Sequence, residues 1–126
     1  MKKESKAVLD ASAILALIQG ERGEEKLRPL LPRAAVCSVN VAEVLAKLIR
    51  DGMPRDAAAA ALAALHVEEI SFDGADAQRS AAYVAKGISL GDRCFLAAAF
   101  RHGEGFTSDA EFSKLIPDGP RLHGFR

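Results

Sequence analysis

A three-layer α/β/α sandwich with a short parallel β-sheet is the fold class the sequence predicts, and three observations predict it. Short apolar runs alternate with segments of helical periodicity along the chain, which implies crossover connections and a parallel sheet covered on both faces. The helix read over Gly91–His102 is apolar nearly all round after its first turn, as suits a helix buried between layers. With 126 residues and no repeat, low-complexity tract or interdomain linker, the chain suits a single domain, residues 1–126, around one core.

Taken in order, Lys6–Asp10 is an apolar run closed by an acid and predicts a buried first strand. Ser12–Leu17 continues at helical spacing until Gln19-Gly20-Glu21-Arg22-Gly23 breaks it. A helix over about Glu24–Leu31 follows and stops before Pro32, because the residue ahead of a proline is pushed out of helical backbone. Ala34–Ser38 reads as the second strand. Asn40–Arg50 places Val41, Val44, Leu45 and Leu48 on one helix face, and Asp51-Gly52 supplies a glycine for a left-handed cap. Pro54 suits the first position of the next helix, and Ala57–Leu65 makes a smooth cylinder of Ala and Leu. Val67–Phe72 is the third strand, and Asp73 caps a helix that runs to Lys86 and ends at Gly87. After Gly91–His102, Gly105-Phe106-Thr107 is strand-like and Arg121–Phe125 adds an edge strand.

Composition narrows the function classes. Hydrophobic residues at 49 % and charged residues at 27 % argue against disorder, and seventeen basic residues balance seventeen acidic ones. A neutral chain has no general polycation coat, so contact with nucleic acid must come from a local patch. No apolar run is long enough to span a membrane, and Met1-Lys2-Lys3 leads into Glu4 and Ser5 instead of a signal segment. Cys37 and Cys94 lack metal-ligand spacing and read as small buried hydrophobes of a reducing, cytoplasmic compartment.

Four acids occupy comparable places. Asp10 closes the first strand, Glu43 falls in the first turn of the helix after the second, Asp92 opens the apolar helix, and Asp109 follows the strand at Thr107. In an open parallel sheet ligands bind beyond the carboxyl ends of the strands, so these acids converge on one rim. Each alone is better read as a helix cap: Asn40-x-x-Glu43 and Ser89-x-x-Asp92 have capping-box spacing, and Asp10 and Asp109 suit N-cap positions. Their apolar neighbours, Val8-Leu9 and Phe95-Leu96-Ala97-Ala98, tilt the balance, because a carboxylate against a core needs compensation. All-oxygen donors without His or Cys suit Mg²⁺ or Mn²⁺ over Zn²⁺. Crowded together, they are expected to raise at least one folded-state pKa by mutual repulsion.

Val8-Leu9-Asp10-Ala11-Ser12-Ala13, Val39-Asn40-Val41-Ala42-Glu43-Val44, Ser89 to Ala97 and Thr107-Ser108-Asp109-Ala110-Glu111-Phe112, in that order, resemble a PIN domain. More narrowly they resemble the VapC toxin ribonucleases of prokaryotic toxin–antitoxin pairs. The resemblance implies a helix-sandwiched parallel sheet and a Mg²⁺- or Mn²⁺-dependent endoribonuclease. It carries the metal and catalytic roles to Asp10, Glu43, Asp92 and Asp109, with Ser12, Thr107 and Ser108 as supporting polar groups. It further implies an RNA substrate, a homodimer, and a cognate antitoxin covering the active-site groove; the lack of a spanning apolar run argues against a membrane partner. The chain departs from some members in having Leu96 one turn after the third acid, and Arg22 where a proline is common.

Other signals are weaker. Arg93 suits a phosphate contact on RNA and a carboxylate partner equally. His102 ends the apolar helix, where a cation suits the helix dipole. Arg50, Arg55, Arg79 and Arg101 read as solvated faces, and Tyr83 and Phe100 as core or interface. The apolar faces of Asn40–Arg50 and Pro54–Leu65 are candidate surfaces for the partner contacts. Two rival functions remain at this stage. One is a noncatalytic, metal-stabilised RNA- or protein-binding module; the other is a phosphatase using Asp10, although Ser12 stands where that chemistry wants a second acid.

Overall fold

The computed structural model describes residues 5–116 and 118–126; the basic start Met1-Lys2-Lys3-Glu4 lies outside the described residues. Five strands form one sheet: β1 (Lys6–Leu9), β2 (Ala34–Cys37), β3 (Glu68–Ile70), β4 (Gly103–Thr107) and β5 (Leu122–Gly124). Their order is β3-β2-β1-β4-β5 and every pairing is parallel. The chain winds outward from β1 in one direction and returns to the other side through β4, so the winding reverses between these two strands.

The helices are α1 (Ala11–Gln19), α2 (Glu24–Leu27), α3 (Ser38–Arg50), α4 (Arg55–Ala63), α5 (Gly74–Ser80) and α6 (Leu90–His102). Alternation along the strands splits the interior into two cores. Leu9 and Val36 face Ile14, Leu27, Val44 and Leu48 of the α1–α4 layer, together with Phe125. Val8, Ala35 and Cys37 face Tyr83, Phe95, Leu96 and Ala99 beneath the sheet. The three-layer sandwich expected from the sequence is the fold observed.

Four expectations are corrected. The helix read over Glu24–Leu31 ends at Leu27 and tightens into a 3₁₀ turn over Arg28–Arg33. Pro29 has no N–H to give and its ring crowds the preceding turn. The helix expected to reach Lys86 ends at Ser80, whose hydroxyl bonds the Ala77 carbonyl at 2.7 Å, and a short 3₁₀ turn then buries Tyr83. Pro54 is the N-cap of α4 and not its first residue. At His102 the expected helix-end cation is disfavoured, for burial, with Arg101 and Lys6 nearby, holds its pKa below the usual value. Both cysteines are free and buried, as expected, and burial raises their thiol pKa values. No helix among the described residues is long and apolar enough to cross a membrane.

The surface arginines are only partly the solvated set expected. Arg101 donates to both oxygens of the buried Asp76 at 3.1 and 3.2 Å and lies 3.6 Å from Asp73. Arg79 lies over the ring of the half-exposed Phe100, 4.1 Å from its centroid. The apolar faces foreseen as partner surfaces are largely spent within the molecule. Val41, Val44 and Leu48 of α3 belong to the core, as does Ala58 of α4. Outward, α3 keeps Ala42, Ala46 and the exposed Ile49.

Candidate active site

The reversal between β1 and β4 opens a crevice at their carboxyl ends, the place where open parallel sheets bind ligands. A cleft of about 230 Å³ lies there, lined by Asp10, Ser12, Asn40, Glu43, Asp92 and Asp109, with Thr107 and Ser108 along its wall. All four predicted acids and all three predicted supporting residues therefore meet at one cavity. Arg93 does not line it; its Nη1 donates to the Ile88 carbonyl at 3.5 Å, and among the described residues it pairs with no carboxylate.

Asp10 is the buried acid of the group, 7 % exposed. The strand must stop there because Asp10 is the N-cap of α1, and its Oδ1 accepts from the Ala13 N–H at 2.9 Å. The same oxygen accepts from the Ser12 hydroxyl at 2.6 Å, while Ser12 Oγ accepts from the Ser108 N–H at 3.0 Å. Ser12 thus ties the ends of β1 and β4 together. Burial pushes the Asp10 carboxyl above its ordinary pKa; bonds from Ser12, Thr107 and the Ala13 N–H oppose this, and the charge of Asp92 adds the smallest upward push. Repulsion was the expected cause, but desolvation dominates because the carboxylate sits against a sheet core.

The capping readings divide the acids. Asp92 and Ser89 form a reciprocal capping box at 3.1 Å each way. Asp109 caps the 3₁₀ turn Ala110–Leu115 through the Glu111 N–H at 3.0 Å. Glu43 is no cap at all: α3 begins at Ser38 without an acid in its first turn, so Glu43 falls in the second turn and not the first. Asn40 is inside the helix, so the suspected box with Glu43 does not form.

Among the described residues no ion pair involves any of the four cleft acids, whereas acids elsewhere pair with Lys6, Arg28, Arg101 and Arg126. Carboxylates around a cavity without a cationic partner among the described residues, one of them buried, are what a divalent cation would satisfy. As the side chains stand, no cluster of three acids, histidines or cysteines among the described residues is close enough to hold an ion directly. Mg²⁺ is compatible with such a cleft, because it keeps several waters and takes only one or two carboxylates directly. The residues present fit a hard, hydrated cation.

Sequence reading missed two participants. Asn40, weighed only as a cap, lines the cleft and bonds to α6. Gly91 gives the Glu43 carboxylate its room, since a Cβ there would overlap both of its oxygens. A buried amide on an otherwise apolar helix face, beside Val41 and Val44, was the available signal for the first.

Comparison with known proteins agrees with this fold. The chain superimposes on VapBC from Salmonella typhimurium bound to DNA with a TM-score of 0.79, at 16 % identity over 98 % of this chain and 100 % of that one. A toxin–antitoxin complex from Klebsiella pneumoniae gives 0.74 at 22 % identity, covering 96 % and 98 %. VapC20 of Mycobacterium tuberculosis, a sarcin–ricin-loop-cleaving toxin, gives 0.68 at 18 % identity, covering 88 % and 95 %. At these identities the likeness is one of fold. No curated protein matches the sequence. The sequence profile of the PIN domain matches residues 7–116, and the chain belongs to the PIN domain family.

Proposed function

We propose that this PIN domain is a Mg²⁺- or Mn²⁺-dependent endoribonuclease and the toxin of a toxin–antitoxin pair. The observation that carries the reading is the cleft itself: four carboxylates from separate elements, without a cationic partner among the described residues, at the sheet's topological switch. The fold is shared with an RNA-cleaving toxin and with toxin–antitoxin complexes, which supports the substrate class and the partner.

When bound, the cation supplies an activated water and neutralises phosphate charge. The chain's own residues do the rest. Ser12, Thr107 and the Ala13 N–H hold Asp10. Ser89 holds Asp92, and the Glu111 N–H holds Asp109. The hydroxyl of Ser12 is spent on Asp10, and among the described residues the cleft is lined by no Lys, His or Cys. Attack by a Ser12 hydroxyl activated by a Lys or His base is therefore not the mechanism the lining supports. Without a cation the acids repel a polyanion, so metal serves binding as well as chemistry. Arg93, free of any carboxylate among the described residues, is the proposed phosphate contact beside the cleft. The proposed homodimer and antitoxin would use the outward side of α3. There Val39, Ala42, Ala46 and Arg50 border Glu43 in a groove of about 380 Å³.

Incubating the protein with RNA and Mn²⁺, alongside a generic phosphate monoester, tests this. Cleavage of RNA alone, lost in Asp10→Asn, is the expected outcome. Monoester hydrolysis would favour the phosphatase, and RNA binding without cleavage the noncatalytic module.

A further inference from the structure

Glu43 owes its position to more than its own helix. Its side chain reaches from the second turn of α3 to the first turn of α6, where the carboxylate lies against Gly91. Asn40, nearly one turn earlier on α3, is 1 % exposed. Its Nδ2 donates to Glu43 Oε1 at 2.7 Å and to the Gly91 carbonyl at 3.1 Å. Both partners are acceptors, so only the NH₂ end of the amide can face them. The other end is bare, for Asn40 Oδ1 is buried with no partner among the described residues. A buried acceptor left unpaired lowers stability, and an aliphatic side chain would fill the place without that loss. What Nδ2 holds explains why an amide stands there.

Resting on the metal-dependent reading above, we infer that Asn40 is a positioning residue for Glu43, and that Asn40 and Gly91 form a two-helix cradle setting that carboxylate beside Asp92. Asn40 grips the carboxylate and the α6 backbone with the same nitrogen, so the acid from α3 keeps its register with the acid from α6. Gly91 immediately precedes Asp92 and leaves the gap that Glu43 enters. A side chain at 91 would push Glu43 away, and a residue at 40 without two N–H donors would let it swing into solvent.

The test reads the rise in melting temperature that Mn²⁺ alone causes in the full chain. It compares wild type with Asn40→Ala, Asn40→Leu and Gly91→Ala, and with Leu48→Val as a core control on α3. Each cradle variant should need about tenfold more Mn²⁺ or higher for half its maximal rise, the scale of losing a group that orients a ligand. Leu48→Val should melt lower yet respond at the wild-type concentration. Gly91→Ala is favoured by helix propensity, so it decides the matter if Asn40 variants fold poorly. The Mn²⁺ dependence of RNA cleavage should shift in parallel, with the rate at saturating Mn²⁺ much less affected. Cradle variants responding at the wild-type concentration overturn the inference and leave the nuclease reading standing. A wild-type protein indifferent to Mn²⁺ overturns both.

Discussion

Asp10 shows at the scale of one residue how a cap and a ligand become the same side chain. Its Oδ1 caps α1, yet burial raises its pKa above the ordinary 3.8. Only between the unfolded and the folded pKa does the folded state keep a proton that the unfolded state has released. Metal-free stability from this group is full below about pH 4 and is lost as the pH climbs through the folded value. Asp10→Asn keeps an oxygen for the cap and sheds the buried charge, so its metal-free form should melt at or above wild type near pH 7.5; a differential melt at pH 4 and 7.5 checks this. Asp92→Asn is a different case, because Asp92 accepts from the Ser89 N–H and the substitution disturbs a capping box. Ser89→Ala should cost about 1 kcal/mol, the usual worth of an N-cap hydroxyl, measurable by urea denaturation. The acids were legible from sequence because Asp10 and Asp109 follow strand-like runs, Glu43 falls on an amphipathic helix and Asp92 opens an apolar one. Asn40 was not, because one of its partners, the Gly91 carbonyl, lies on a helix fifty-one positions away.

Elements were legible where apolar spacing and a stop signal agreed. In α3, Val41, Val44 and Leu48 are buried as their spacing required, and Gly52 takes the left-handed backbone its place demanded, at φ 106°. In α2 they disagreed: periodicity continued through Pro29, and the proline prevailed. Strand β3 contributes a single buried residue, Ile70, to its exposed edge, too little to set its bounds by pattern. The contact of β4 with α6 is a tertiary fact that local pattern could not give. A Cβ at Gly105 would fall 2.6 Å from the Phe95 ring and 2.8 Å from Leu122. Gly105→Ala should therefore destabilise the protein by roughly 1–3 kcal/mol through overpacking. Phe95→Ala, which empties the same place, should cost about 3–5 kcal/mol. Denaturant melts of the two variants check both magnitudes.

For the whole molecule, parallel topology was readable from alternation, but strand order was not. The pairing of β1 with β4, formed across about a hundred residues of chain, is what brings Asp10 to Ser108 and Asp109. A cation bound only by the folded state should stabilise the wild type by about 2.7 kcal/mol at a hundredfold excess over its dissociation constant, a gain that Asp10→Asn should largely lose. If the proposed toxin reading holds, the chain expressed alone should arrest growth, and co-expression of a cognate antitoxin should relieve it.

The most direct measurement is sequencing of RNA ends after induced expression of wild type and of Asp10→Asn. On the proposed reading, direct attack of water on the phosphodiester would leave a 5′-phosphate and a 3′-hydroxyl, since the RNA 2′-OH would take no part. Discrete new ends of that kind in the wild type, absent in Asp10→Asn, are the predicted result. Ends bearing 2′,3′-cyclic phosphate, or an identical set of cuts in both strains, would contradict it.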